Sequence, residues 1–224
     1  MGIIYGDGSM DVLLQEEKQN SYTHTHIKNV MISFFLLYTP EKVQKLREKG
    51  YMNEIIMSEL KKQLIYHDMS KFSEEEWEPY RKRWFPTDDE KRRMKTEDGY
   101  EELIKEEFEI AWQHHYMNNS HHPEHWRYRL PTTSENDVVF ANQRLDIATP
   151  MDLVSIHHMI CDWNAMGLNS LSSMLPIDWY TSDKAKDERE AFNPTTKQTV
   201  EEILSILYGR EVWGDTNGQV NNQM

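Results

Sequence analysis

The chain has 224 residues, enough for one well-buried core, and its 38% hydrophobic and 28% charged residues, with thirteen Met and seven Trp, make a globular composition rather than a disordered coil. A formal charge of −13 opposes a broad electrostatic grip on nucleic acid or an anionic membrane, and the single cysteine, Cys161, excludes an internal disulfide framework and a cysteine-rich zinc site. The first residues lack the basic-then-apolar pattern of a signal peptide, and the longest apolar run, Met31 to Tyr38, is far short of the roughly 20 residues a membrane span needs, so the expected location is cytoplasmic.

Residues 1–21 read as an N-terminal segment. From His26 to Tyr38, Ile27, Val30, Met31, Phe34, Leu37 and Tyr38 recur at helical spacing and mark a core helix. Thr39 caps and Pro40 opens a short helix through Lys49, with Gly50 as its stop. A third helix runs from about Asn53 and ends on the pair His67-Asp68. Ser73 followed by Glu74, Glu75 and Glu76 signals a fourth, with the acidic run on a solvated first turn and an end by Pro86. The densely charged stretch from Thr87 to Glu97 reads as an exposed excursion, after which a long helix spans Tyr100 to Tyr116.

Leu130 to Thr149 reads as a loop long enough to be a lid or a binding loop. Thr149 and Pro150 start a helix ended by Gly167, and Asn193 and Pro194 start the last, which Tyr208 closes before Gly209. Residues 210–224 form a polar tail expected to be disordered. No stretch reads as a strand. The fold class is therefore all-α, a single helical domain over residues 22–209 with a long loop near 130–149.

The ten histidines fall in groups: His24 and His26, His67, then His114, His115, His121, His122 and His125, then His157 and His158. Each group lies near the end or on one face of a different helix, which is how bundles assemble metal sites from facing elements. Adjacent helical residues diverge by about 100°, so His67 and Asp68 at a helix end can approach two metals side by side, with the carboxylate bridging. Lys71 follows Asp68 by three residues on nearly the same face, placed to touch a substrate phosphate or orient the attacking water. On the helix after Pro150, the residues Asp152, Ser155, His158 or Met159, and Asp162 form a polar stripe, and a buried carboxylate there needs a partner that metal would supply. A phosphorylated ligand needs compensation from metal or from a basic cluster such as Arg81, Lys82 and Arg83.

The runs IYHDMSKF and MICDWNAM, with His26 on an earlier helix, resemble the HD superfamily of metal-dependent phosphohydrolases, whose motif is a histidine, an adjacent His-Asp and a distant aspartate. The run AWQHHYMNNSHHPEHW, together with HDMSKFSEEEWEPY and ICDW, is similar to an uncharacterised phage and bacterial HD-like family known only as a domain of unknown function, over about His24 to Tyr180. The resemblance implies an HD-like architecture in which His26, His67, Asp68 and Asp162 hold a first metal, Asp68 bridges to a second, and His115, His121 and His122 resemble the histidines that bind it. Met69 and Ser70 depart from the aliphatic residue and glycine that many phosphohydrolases carry there.

The implied activity is hydrolysis of a phosphoester or phosphoanhydride of a nucleotide-like small molecule through a metal-activated water, with Asp68 and Lys71 catalytic, in the host cytoplasm if the chain is phage-encoded. Imidazole and carboxylate ligands without thiolate suit one or two ions of Mn, Fe, Ni, Co or Zn. An HD-like di-iron oxygenase and a non-catalytic phage-type binding or inhibitory protein are the rival readings. Helical geometry places His24 nearer the apolar face, whereas the superfamily pattern selects His26. Either His121 or His122 can serve, while His115 is favoured over His114, which is left on the surface. His125, His157 and His158 read as structural or supporting, and Trp112, Trp126 and Trp163 as core.

Overall fold

The computed structural model describes residues 7–129, 146–169 and 174–213. The chain opens with α1 (Asp7–Leu37), α2 (Pro40–Glu48) and α3 (Glu54–Ile65), followed by a 3-10 turn at Met69–Phe72. Next come α4 (Glu74–Trp84), α5 (Asp88–Thr96), α6 (Tyr100–Asn118) and a 3-10 turn at Pro123–Trp126. Strands β1 (Arg127–Arg129) and β2 (Asp146–Ala148) precede α7 (Leu153–Asn169), and α8 (Pro176–Thr181), α9 (Lys186–Ala191) and α10 (Pro194–Tyr208) complete the order. The protein is all-α, with a two-stranded ribbon as the only sheet among the described residues.

Local chemistry sets several of these ends. Thr39 accepts a hydrogen bond from the Lys42 backbone ahead of Pro40, and Asn53 accepts one from Ile56 at 2.9 Å. Gly209 ends α10 at φ 67°, a left-handed conformation that costs glycine little. The helix α1 lies along α7, which also packs on α3, while α4 lies along α6. Val30, Phe34, Leu60, Leu64, Ile156, Ile160, Ile203 and Leu207 are buried in one core between these helices and α10.

Several expectations are corrected. α1 begins at Asp7 and runs unbroken across position 21, because its first half buries polar rather than apolar side chains: Gln15, Gln19 and Thr23 are buried, and Gln19 Nε2 donates to the Trp77 carbonyl at 3.0 Å. Thr87 to Glu97 is not an excursion but carries α5, opened by a capping box between Thr87 and Glu90. Ser73 precedes α4 without a side-chain cap bond, and Glu76 in its first turn is fully buried instead of solvated.

Helix α7 starts at Leu153, with Asp152 accepting from the Ser155 backbone at 2.8 Å, rather than at Pro150. Gly167 does not end it; a Cβ there would sit 2.8 Å from the Met174 carbonyl oxygen, so its glycine permits a close backbone approach. Two strands exist where none was expected, antiparallel with Arg127 opposite Ala148. Of the long loop expected near 130–149, residues 130–145 lie outside the described residues, as do 214–224 of the expected tail and 1–6 of the N-terminal segment. Among the described residues no helix is long and apolar enough to cross a membrane.

Arg81 is 1% exposed and donates to Glu90 at 2.6 and 2.9 Å and to Glu78 at 2.9 and 3.0 Å, which ties α4 to α5 and removes it from any phosphate-binding role. Replacing it strands the Glu90 carboxylate, so Arg81→Ala is expected to lower unfolding stability by roughly 3 kcal/mol in urea, whereas Arg92→Ala in the exposed pair with Asp89 stays within about 0.5 kcal/mol. Equal effects in the two variants would mean that the Arg81 pair adds nothing beyond a surface contact.

Candidate metal centre

The centre starts from a backbone irregularity. Helix α3 ends at Ile65, and Asp68 takes φ 56° and ψ 20°, a left-handed conformation shared by no other non-glycine among the described residues. Aspartate tolerates this region better than most residues. Both His67 and Asp68 are buried, at 0% and 2% exposure. Around them stand His26 of α1, His115 of α6, His121 and His122 of the following link, and His158 and Asp162, one turn apart on α7.

The two oxygens of Asp68 face different partners. Oδ2 lies 3.3 Å from His67 Nε2, 3.9 Å from His26 Nε2 and 2.5 Å from Lys71 Nζ. Oδ1 lies 3.3 Å from His115 Nε2 and 3.5 Å from His121 Nε2. Asp162 Oδ1 is 2.9 Å from His26 Nε2 and 3.8 Å from His67 Nε2, and its Oδ2 is 3.9 Å from His121 Nε2. Ring nitrogens also confront one another: His26 Nε2 and His67 Nε2 at 3.1 Å, His115 Nε2 and His122 Nε2 at 3.0 Å, His67 Nδ1 and His158 Nε2 at 2.8 Å.

Three trios have ligand atoms within 4.8 Å of one another: His26, His67 and Asp68; Asp68, His121 and His122; His67, His121 and His158. Among the described residues, Asp68 Oδ1, Asp162 Oδ1 and His121 Nε2 are buried without hydrogen-bond geometry to a partner. Buried acceptors in this condition are costly unless something supplies positive charge. The groups present are therefore able to hold a metal ion, and the donor set suits one.

The electrostatics agree with that fit. Burial pushes the Asp68 carboxyl up, but His67 and Lys71 outweigh it and hold it well below the usual carboxylate range. Asp162 is lowered in the same way by His26 and His67 against its burial. Burial drives His121 far below the ordinary imidazole value, His122 to about 4 and His158 to about 3, with neighbouring imidazoles adding to the effect. Burial also depresses Lys71, but Asp68 overrides it and raises the ammonium, so Lys71 stays a cation. Neutral imidazole and ionised carboxylate are the forms a divalent ion requires.

All eight residues singled out from sequence, His26, His67, Asp68, Lys71, His115, His121, His122 and Asp162, come together here. His24 does not; it is exposed and meets the edge of Phe72 at 5.2 Å. Both His121 and His122 take part. His158 belongs to the cluster rather than standing behind it, and its position four residues before Asp162 on one helix face was an available signal.

Glu76 was also missed: it accepts from His115 Nδ1 at 2.8 Å and from His114 Nδ1 at 2.7 Å, so His114 is tied inward and not simply a surface residue. Trp112 is less a core residue than a wall, stacked on His115 at 5.5 Å and edge-on to His122 at 4.9 Å. His157 faces away, bonded to the Tyr38 hydroxyl at 2.7 Å and the Tyr51 carbonyl at 2.9 Å, and His125 bonds the Tyr116 carbonyl at 3.0 Å.

Fold and site together define an all-helical protein with a buried histidine and aspartate centre able to hold metal. The chain belongs to the Family of unknown function (DUF5662), which matches residues 15–206 and so spans every residue of the centre. No curated protein and no solved structure matches it.

His157 has a folded pKa near 4 because burial opposes its charge, against 6.5 for the free side chain, and His122 and His158 are depressed likewise. Below about 6.5 the unfolded chain takes up protons that the folded chain refuses, so stability is greatest above that value and falls as pH drops toward about 4, by up to about 1.4 kcal/mol per pH unit for each group. The depressed carboxylates of Asp68 and Asp162 act in the same direction only below about their ordinary value of 3.8. Urea unfolding of the metal-free chain is expected to follow this slope, with a shallower one in His157→Gln; a flat profile in that window would contradict neutral burial of these rings.

Proposed function

We propose that the centre binds one or two divalent transition-metal ions and hydrolyses a phosphoester or phosphoanhydride of a small, nucleotide-like molecule. The observation that carries this reading is the division of Asp68: one oxygen faces His26 and His67, the other faces His115 and His121. A carboxylate placed between two imidazole groups suits a bridging ligand. On this reading His26, His67, Asp68 and Asp162 hold one ion, and Asp68, His115, His121 and His122 hold the other. Ligands of nitrogen and oxygen without thiolate suit Mn, Fe, Ni, Co or Zn.

Divalent ions held there supply Lewis acidity, lowering the pKa of a bound water and neutralising charge on phosphoryl oxygens. The chain's own residues do the rest. Lys71 keeps an ammonium 2.5 Å from Asp68 and is still 19% exposed, so a phosphoryl oxygen arriving from solvent can share it. Asp162 is 16% exposed, which opens the centre on its side, while His26, His67, Asp68, His115 and His121 are closed to bulk water. The exposed part of Lys71 is where a small phosphorylated substrate would meet the centre, whereas the chain's net charge of −13 opposes a long polyanion.

The test is elemental analysis of untagged protein beside Asp68→Ala and His67→Ala, followed by turnover of bis(p-nitrophenyl) phosphate and a nucleotide panel. Near-stoichiometric metal is expected in the wild type and in neither variant, with Lys71→Ala keeping metal but losing about 100-fold in kcat. No metal after incubation with Mn, Fe and Zn overturns the reading. Iron with oxygen uptake moves it to a di-iron oxygenase, and bound metal without turnover moves it to a binding protein.

A further inference from the structure

We infer that Glu76 decides which nitrogen of His115 carries the ring proton, leaving bare the one that faces the centre, and thereby whether the Asp68 Oδ1 side can hold an ion. The second half of this inference rests on the metal reading above; the first half does not. Glu76 stands in the first turn of α4 and its side chain is completely buried. Its Oε2 lies 2.8 Å from His115 Nδ1, and its Oε1 lies 2.7 Å from His114 Nδ1. An ionised carboxylate only accepts, so the proton between Glu76 and His115 sits on Nδ1. In the neutral ring Nε2 is then bare, and Nε2 is the atom 3.3 Å from Asp68 Oδ1 and 3.0 Å from His122 Nε2.

The other neighbours of Nδ1 do not fix this choice. Ser70 Oγ, at 3.2 Å, can donate or accept. Asn119 Nδ2, at 3.3 Å, favours the opposite tautomer and is already committed to the His115 carbonyl and Ser70 Oγ, both at 2.8 Å. Glu76 is therefore the one anionic acceptor in contact with the back of His115 among the described residues.

The two sides of the centre differ in what stands behind them. The side of His26 and His67 shares two carboxylates, Asp68 and Asp162, and the back of His67 meets the imidazole of His158 at 2.8 Å. The side of His115, His121 and His122 shares Asp68 and meets Asp162 only at 3.9 Å, through His121, so the nearest further negative charge on its His115 edge is Glu76, one hydrogen bond removed. Carboxylates placed behind metal-binding imidazoles fix the tautomer and raise ligand basicity, and their loss costs about 10- to 100-fold in metal affinity. Glu76 is in this sense a positioning residue, and the Asp68 Oδ1 side depends on it more than the other side does.

Glu76→Gln tests the point because the amide can donate to Nδ1 and drive the ring proton onto Nε2, where it blocks a ligand position. Metal-free full-length chain with labelled imidazole nitrogens, read by NMR at alkaline pH, is expected to carry His115 as the Nδ1–H tautomer in the wild type and in His114→Ala, and as Nε2–H in Glu76→Gln. Zinc titration by calorimetry is expected to give two binding steps in the wild type and His114→Ala. In Glu76→Gln one step weakens by about 10- to 100-fold and the other is unchanged.

An Nε2–H tautomer in the wild type overturns the inference even if the Gln variant fails to fold, and a Gln variant that binds zinc like the wild type overturns its second half. A wild type with the Nδ1–H ring that binds no metal sinks the proposed function and the ion-holding half together, and leaves the hold of Glu76 on His115 standing.

Discussion

A carboxylate that is 2% exposed and ionised must be compensated from within the protein, and Asp68 sets that demand at the point where four helical elements meet. Its left-handed backbone, at φ 56°, costs a non-glycine residue of order 1 kcal/mol. What the turn achieves is direction. It stops α3 and leaves His67 and Asp68 facing the same interior, with Lys71 close enough to close an ion pair on Oδ2. Each element packed around this turn then brings a group to it: α1 brings His26, α6 brings His115, and α7 brings His158 and Asp162.

Packing and site are consequently one construction. The face of α7 that carries Ile156 and Ile160 lies in the hydrophobic core, while His158 and Asp162 on the same helix line the centre. The long contact between α1 and α7 buries Val30 and Phe34 and sets His26 2.9 Å from Asp162. Rings at such an interface gain precision from being gripped at both nitrogens. His67 is gripped by His158 on its far side, and His115 by Glu76. The first grip is neutral and the second anionic, so two imidazoles that look alike in sequence differ in how strongly they donate.

How much of this was legible in the sequence depended on whether the signal was local. Proline, glycine and cap residues placed α2 and α10 within a residue or two, because those residues act through their own backbone. The first half of α1 and all of α5 were missed for a shared reason: neither buries an apolar stripe. Gln15, Gln19 and Thr23 are buried, with Gln19 bonded across to Trp77, and α5 is anchored by Glu90 on a buried Arg81, which hydrophobic periodicity does not register. Strands of three residues carry no periodicity at all. The grouped histidines made the centre visible, since several elements each supplied one group. Glu76 stayed hidden because three consecutive glutamates after Ser73 look like a solvated first turn, and only the distant α6 reveals that the third of them points inward.

The surroundings of Asp162 hold further charged groups. Burial pushes Glu188 up to about 7, with Glu124 and Asp162 adding to the push and Arg127 opposing it. A buried nitrogen of Arg127, Nε, has no hydrogen-bond partner among the described residues. The same balance keeps Lys71 charged: burial opposes its ammonium, and the Asp68 carboxylate that it neutralises holds it in place.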